Sequence, residues 1–225
     1  MTPPASRVKR AADVVLAAAG LIATAPVLAL AAAAIRLTMG SGILFRQIRP
    51  GYKEQPFTVY KLRTMTNDDA VRAAFARVTP LGRFLRMASI DELPQLWNVI
   101  RGDMSLVGPR PLLTKYLTHY DAEQRRRHDV LPGITGWAQI HRRTATAWDE
   151  RLALDVWYVD HWSLRLDLLI VMRTLREFLP WRGDPAMDSL SRTTENELEF
   201  RGSSGQVAAK AMASHRMPRV SKDQS

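Results

Sequence analysis

Asp91 and Glu92 stand side by side in the densest cluster of residues that could do chemistry, Ser89-Ile90-Asp91-Glu92-Leu93-Pro94-Gln95-Leu96-Trp97-Asn98. Farther on, Ser105-Leu106-Val107-Gly108-Pro109-Arg110-Pro111 holds Arg110 between prolines, so its backbone has little freedom left to lose on gripping a ligand. An arginine fork matches phosphate in bidentate fashion. Pro132-Gly133-Ile134-Thr135-Gly136-Trp137 then makes a glycine-punctuated loop leading into His141-Arg142-Arg143. Each feature alone is weak, because first-turn acids are ordinary helix caps. A carboxylate pair beside preorganised arginines is, taken together, the equipment of a site that handles phosphates.

The elements that must position these groups begin with a helix. Ile90, Leu93, Leu96, Trp97 and Ile100 fall on one helical face, with Asp91, Gln95 and Asn98 on the other. Ser89 and Glu92 have capping-box spacing, and Pro94 is best tolerated near a first turn. The spacing therefore predicts a helix starting near residues 89–91. Its N-terminal N–H groups and dipole would favour anions beside the two acids.

The chain of 225 residues accommodates one catalytic domain with appendages. It has no cysteine, which excludes disulfides, zinc-thiolate sites and thiol nucleophiles. A net charge of +10 calls for an anionic partner: nucleic acid, acidic lipid or a phosphorylated substrate.

Residues 14–35 carry no charge and are almost all Ala, Val, Leu or Ile. As a helix this stretch spans ~33 Å, about one bilayer core. It is long for a signal peptide and too uniformly apolar for an ordinary core helix. Arg7, Lys9 and Arg10 precede it, and Arg36, Arg46 and Arg49 follow it. The positive-inside rule then places both ends in the cytoplasm. Pro26, mid-segment, is the expected bend. A re-entrant hairpin is favoured over a straight span.

Residues 43–48 and 57–62 read as a small basic β-hairpin, solvated for the most part. Helical patterns cover 68–77, much of 112–130, and 152–179 with a break near Ser163. Beyond Gly183 periodicity fades, and Gly202-Ser203-Ser204-Gly205 opens a tail of disordered composition. The expected fold is α+β and mostly helical. It has a membrane-anchoring helix-break-helix over 1–39, a cytoplasmic-face catalytic core over 40–182 ringed by amphipathic interfacial helices, and a largely disordered segment over 183–225.

The stretches Ile90-Asp91-Glu92-Leu93-Pro94-Gln95-Leu96-Trp97-Asn98-Val99 and Gly102-Asp103-Met104-Ser105-Leu106-Val107-Gly108-Pro109-Arg110-Pro111 closely resemble the bacterial sugar transferases known as monotopic phosphoglycosyl transferases. The resemblance runs from about residue 7 to about residue 179. It takes in Phe45-Arg46-Gln47, Tyr60-Lys61-Leu62-Arg63-Thr64-Met65, Pro132-Gly133-Ile134-Thr135-Gly136, Leu154-Asp155-Val156-Trp157-Tyr158-Val159 and Ser163-Leu164-Arg165-Leu166-Asp167. The chain departs from the pattern at Ala25, where the family often has Ser, leaving Thr24 as the nearest hydroxyl. It departs again at His141-Arg142-Arg143-Thr144, in place of Asn-Gly-Arg-Asn, a change that bears on sugar selectivity.

The resemblance implies transfer of a sugar-1-phosphate from a UDP-sugar to undecaprenyl (polyprenyl) phosphate, through a phospho-sugar on Asp91 and with release of UMP. Asp91 and Glu92 are the implied catalytic dyad and magnesium ligands. Arg86, Arg110 and Arg143 are candidates for holding phosphate, and Asp167 for a metal or substrate role with helix capping as its alternative. Pro26 is the implied membrane bend. Implied partners are the UDP-sugar, the polyprenyl phosphate, membrane lipid and later glycosyltransferases of the pathway, with no nucleic acid, at the cytoplasmic face of a bacterial inner membrane. Trp157, Tyr158, Trp162 and Trp181 suit the head-group layer, with core packing as the alternative. The competing class is a catalytically inactive, membrane-tethered binding protein for anionic lipid or nucleic acid, from which UMP release distinguishes an enzyme.

Overall fold

The computed structural model describes residues 7–66, 78–141 and 147–178. The helix expected over 68–77, Arg143, Trp181 and the whole tail lie outside the described residues. All described residues belong to the first of two compact units, Met1–Gly183.

Helix α1 (Arg7–Met39) is the one helix among the described residues long and apolar enough to cross a membrane. Only 11% of its most apolar stretch is buried inside the protein. Helix runs uninterrupted through Pro26, so the expected break does not interrupt the helical ladder there. A proline removes one ladder hydrogen bond, that of its own missing N–H, and a helix of 33 residues outlasts the loss. Two residues earlier, the Thr24 hydroxyl donates to the Gly20 carbonyl at 2.7 Å, a back-bond of the kind that bends helices without ending them.

After α1, strands β1 (Leu44–Pro50) and β2 (Pro56–Leu62) pair antiparallel from Leu44↔Leu62 to Pro50↔Pro56. Asn98 closes the outer edge of β2. Its side chain accepts from the Tyr60 N–H at 3.2 Å and donates to the Thr58 carbonyl at 2.7 Å, the role a third strand would play. Helix α2 (Pro80–Met87) follows, capped by the Thr79 hydroxyl. A single 3-10 turn (Ile90–Glu92) then leads to α3 (Gln95–Arg101).

Strands β3 (Ser105–Val107) and β4 (Gly133–Thr135) pair in parallel, Ser105 opposite Gly133 and Val107 opposite Thr135. The glycine-punctuated loop of the sequence is thus partly a strand. Its glycines are there for close backbone approach: a Cβ on Gly133 would come within 2.1 Å of the Gly108 nitrogen, and one on Gly136 within 2.2 Å of the Gly108 oxygen. Between these strands the chain forms short helical pieces, α4 (Ala122–Arg125) with a 3-10 turn on each side. Helix α5 (Trp137–Ile140) precedes α6 (Trp148–His161) and α7 (Leu164–Phe178), which meet at the expected break.

Three apolar clusters hold the unit together. Ala31 and Ile35 of α1 pack with Leu62 and Leu85, and Ala17 of α1 packs with Val99 and Met104. Val107, Tyr158 and Ile170 form the third. Both halves of α1 therefore pack on the same body. Tyr158 is core, the second of the two readings open to it; Trp157 is partly exposed, and Leu164, Leu168, Met172 and Leu175 leave α7 an apolar outer surface.

Candidate active site

Ser89 takes a left-handed backbone conformation (φ 53°) and makes no side-chain cap. The expected capping box is therefore absent, and the acids precede α3 instead of lying in its first turn. Pro94 is the cause. It lacks the N–H that an α-helical ladder through residues 90–94 would need, so the chain closes a tighter turn with Glu92 N–H on Ser89 O (3.2 Å) and Leu93 N–H on Ile90 O (3.3 Å). The polar face is buried as well as the apolar one: Asp91, Gln95 and Asn98 are buried, Leu96 and Ile100 pack against the core, and Trp97 is 49% exposed.

The two acids meet opposite surroundings. Glu92 Oε1 accepts from Lys61 Nζ at 2.7 Å and from Arg110 Nη2 at 2.5 Å, and Oε2 accepts from Arg110 Nη1 at 3.2 Å. Burial alone would raise its pKa, but the charges of Arg110 and Lys61 outweigh that and hold it far below the usual carboxylate range. Asp91 is only 7% exposed and makes no hydrogen bond or ion pair among the described residues. Burial first, and the neighbouring Glu92 charge second, push it up to about 6, with Lys61, Arg86 and Arg110 pulling the other way. Paired carboxylates whose environments separate them in this way are suited to different tasks.

The two arginines are held from behind. Arg86 Nε donates to the Thr64 hydroxyl at 2.9 Å, and Gly82 lets α2 approach the Thr64 carbonyl, which a Cβ there would strike at 2.0 Å. Lys61 is delivered by β2. Arg110 stands three residues beyond the end of β3, and its main-chain oxygen accepts from Arg127 Nη2 at 2.7 Å. Arg127 is itself buried against Asp155, at 2.6 Å, with the Tyr120 hydroxyl 3.3 Å away. Neighbouring His128 is kept neutral, since burial and the Arg127 charge lower its pKa to about 4.

Asp91, Glu92, Arg86 and Arg110 are thus brought together. Arg143 lies outside the described residues. Asp167 makes its contacts elsewhere: its oxygens accept from Lys9 Nζ (2.6 Å), the Tyr158 hydroxyl (2.7 Å) and Trp162 Nε1 (3.1 Å). Sequence reasoning missed Lys61 and Arg127. Strand alternation with buried Val59 was the available signal for Lys61; nothing local marked Arg127 among the arginines around it.

The description of bacterial sugar transferases matches residues 4–180. The sugar transferase EpsL of Bacillus subtilis is 49% identical over 179 residues, covering 78% of this chain and 89% of that protein. The UDP-glucose:undecaprenyl-phosphate glucose-1-phosphate transferase of Caulobacter vibrioides is 47% identical over 185 residues, 76% of this chain and 69% of that protein. The protein of the same description in Escherichia coli is 41% identical over 181 residues, 74% of this chain and 39% of its own longer length. A match that runs across α1, the acid pair and the segments that carry Lys61 and Arg110 leaves one assignment: the chain belongs to the bacterial sugar transferase family.

Proposed function

We propose that this chain transfers a sugar-1-phosphate from a UDP-sugar to undecaprenyl (polyprenyl) phosphate and releases UMP. This is the first membrane step of exopolysaccharide, capsule, O-antigen or other glycoconjugate synthesis. Relatives named for this transfer with glucose or N-acetylgalactosamine, and one named for exopolysaccharide production, support the substrate class. The observation that carries the reading is the division of labour in the dyad: a buried, hydrogen-bond-free Asp91 beside a Glu92 paired with Lys61 and Arg110.

In this reading an Asp91 oxygen attacks the phosphorus that bears the sugar. The phosphoanhydride bond to UMP breaks, and an acyl phosphate forms on Asp91. Arg110, Arg86, Arg143 and Lys61 hold the phosphate oxygens as charge shifts onto the departing UMP. An oxygen of the lipid phosphate then attacks the same phosphorus, which frees the Asp91 carboxylate and leaves a diphosphate-linked sugar on the lipid. Two displacements at one carboxylate let a soluble donor and a bilayer-held acceptor use the site in turn.

Magnesium fits the donor set. Magnesium characteristically takes one or two carboxylates together with substrate phosphates, and the adjacent Asp91 and Glu92 offer two. Asp91 and Glu92 would hold it, and it would supply neutralisation of the diphosphate.

The membrane arrangement we propose is a re-entrant α1 that enters and leaves on the cytoplasmic face. Its start is tied to the body by Arg10, which donates to Val99 O at 2.7 Å and Ile100 O at 2.9 Å. Its end is tied by Arg63, which donates to the Met39, Ser41 and Gly42 carbonyls. Straight, the helix would span ~50 Å at ~1.5 Å per residue. Anchoring both ends to one body supports a bend near Pro26. The apolar outer faces of α7 and of Phe84 and Met87 on α2 suit interfacial seating.

Purified protein in nanodiscs, given undecaprenyl phosphate, magnesium and a panel of UDP-sugars, should release UMP with at least one of them. No release with any donor would favour the membrane-tethered binding protein instead.

A further inference from the structure

Asp13 is a buried acid at the threshold of the membrane helix, and its hydrogen bonds lead toward the active site. Its Oδ2 accepts from the Ser105 hydroxyl at 2.7 Å, and its Oδ1 from the Leu106 N–H at 3.3 Å. One turn earlier, Lys9 Nζ donates to Val107 O at 3.3 Å while paired with Asp167 at 2.6 Å, and lies 3.8 Å from Asp13. The Tyr158 hydroxyl donates to Asp167 and sits 3.2 Å from Val107 O. All three residues of β3 are therefore gripped by α1, through a side chain, an amide and a carbonyl.

Tethering α1 would not require this, since Arg10 and the apolar clusters already attach it. What β3 does is deliver Arg110. Only Gly108 and Pro109 intervene, and neither gives slack. Gly108 is wedged so tightly that a Cβ would lie 2.3 Å from Leu131 O, and its N–H is bonded to Thr135 O at 2.9 Å. Proline fixes the next φ. A shift of β3 is then passed to the Arg110 backbone, from which the guanidinium reaches Glu92. Buried polar networks of this kind lose more than one hydrogen bond when one member is removed.

We infer that Asp13 and Lys9 are positioning residues that set Arg110 on Glu92 through β3. The first turns of the membrane helix are then part of the active-site scaffold, and seating of the helix is coupled to catalytic competence. The inference rests on the transfer reaction proposed above.

The test is a double-mutant cycle on the full chain in nanodiscs, read as kcat/KM for UMP release from the best UDP-sugar. Asp13→Asn and Ser105→Ala are each made in wild-type and Arg110→Lys backgrounds, with membrane retention and thermal unfolding measured on every variant. The expected result is a loss of ~10-fold from either change in wild type, shrinking to ~2-fold or less when Arg110 is already lysine, with membrane retention unchanged. Ser105→Ala removes only a hydroxyl and carries the test if Asp13→Asn does not fold. Equal losses in both backgrounds, or no loss with Ser105→Ala, would overturn the coupling while leaving the transfer reaction intact. Absence of UMP release from the wild-type enzyme would instead overturn the reaction and the inference with it.

Discussion

Arg110 closes on Glu92 with both terminal nitrogens, Nη2 on Oε1 at 2.5 Å and Nη1 on Oε2 at 3.2 Å, and leaves the adjacent Asp91 untouched by any hydrogen bond. A fork-to-fork contact needs the planar guanidinium; an ammonium supplies charge but no second parallel bond. Arg110→Lys should therefore lower turnover by ~10-fold or more, equivalent to ~1.4 kcal/mol of transition-state stabilisation. Steady-state UMP release measures it. Kinetics near wild type would reduce Arg110 to a structural partner of Glu92.

Asp91 should cost the resting protein stability. Its folded pKa, near 6, lies above the ordinary 3.8, so between these values the folded state keeps a proton that the unfolded chain has released. Stability then falls as pH rises across that window and stays low above it. The cost is on the order of 2–3 kcal/mol at neutral pH, given ~1.4 kcal/mol per pKa unit. Asp91→Asn, a neutral isostere, should unfold at higher temperature than wild type at pH 7, by ~2–4 °C per kcal/mol recovered. The advantage should fade below about pH 4, where both side chains are uncharged. Melting curves from pH 4 to 8 without substrate decide it; identical curves would mean that Asp91 is not strained.

The absence of native cysteine makes topology directly measurable. Cysteines introduced at Arg7 and Ser41, both exposed, should be labelled by an impermeant thiol reagent from the cytoplasmic side only. Pro26→Ala should shift a fraction of molecules toward labelling from opposite sides, because it restores the missing ladder bond and straightens the helix. Labelling of wild-type Arg7 and Ser41 positions from opposite sides would replace the hairpin with a straight span.

Much of this architecture was legible in the sequence wherever one physical signal dominated. The apolar run of α1, the hairpin around Pro50–Gly51, and the break at Ser163 all came through, because burial pattern and turn chemistry agreed there. The acid pair and Arg110 were legible from residue type and proline context. Their local geometry was not: helical periodicity read straight through Pro94, where the missing N–H ends the ladder and makes a separate 3-10 turn. Parallel β3 and β4 span three residues each, too short for any period to register, and only the backbone contacts of Gly108, Gly133 and Gly136 explain their glycines. Lys61 pairs with Glu92, Arg127 with Asp155, Asp13 with Ser105 and Lys9 with Asp167, partners 28 to 158 residues away that no local pattern encodes.

The covalent step on Asp91 is the centre of the account, and one measurement addresses it most directly. Enzyme is mixed with UDP-sugar and magnesium in the absence of any polyprenyl phosphate, and UMP and intact protein mass are followed together. UMP should appear in a burst limited by the amount of enzyme, and the protein should gain the mass of one phospho-sugar, mapped to Asp91 by peptide analysis. Asp91→Asn, which keeps the shape but removes the nucleophile, should abolish both signals. Glu92→Gln should slow them while leaving any adduct on Asp91. If well-folded enzyme releases no UMP until the lipid acceptor is added, and never gains mass, both substrates must meet in one complex and Asp91 is not the nucleophile.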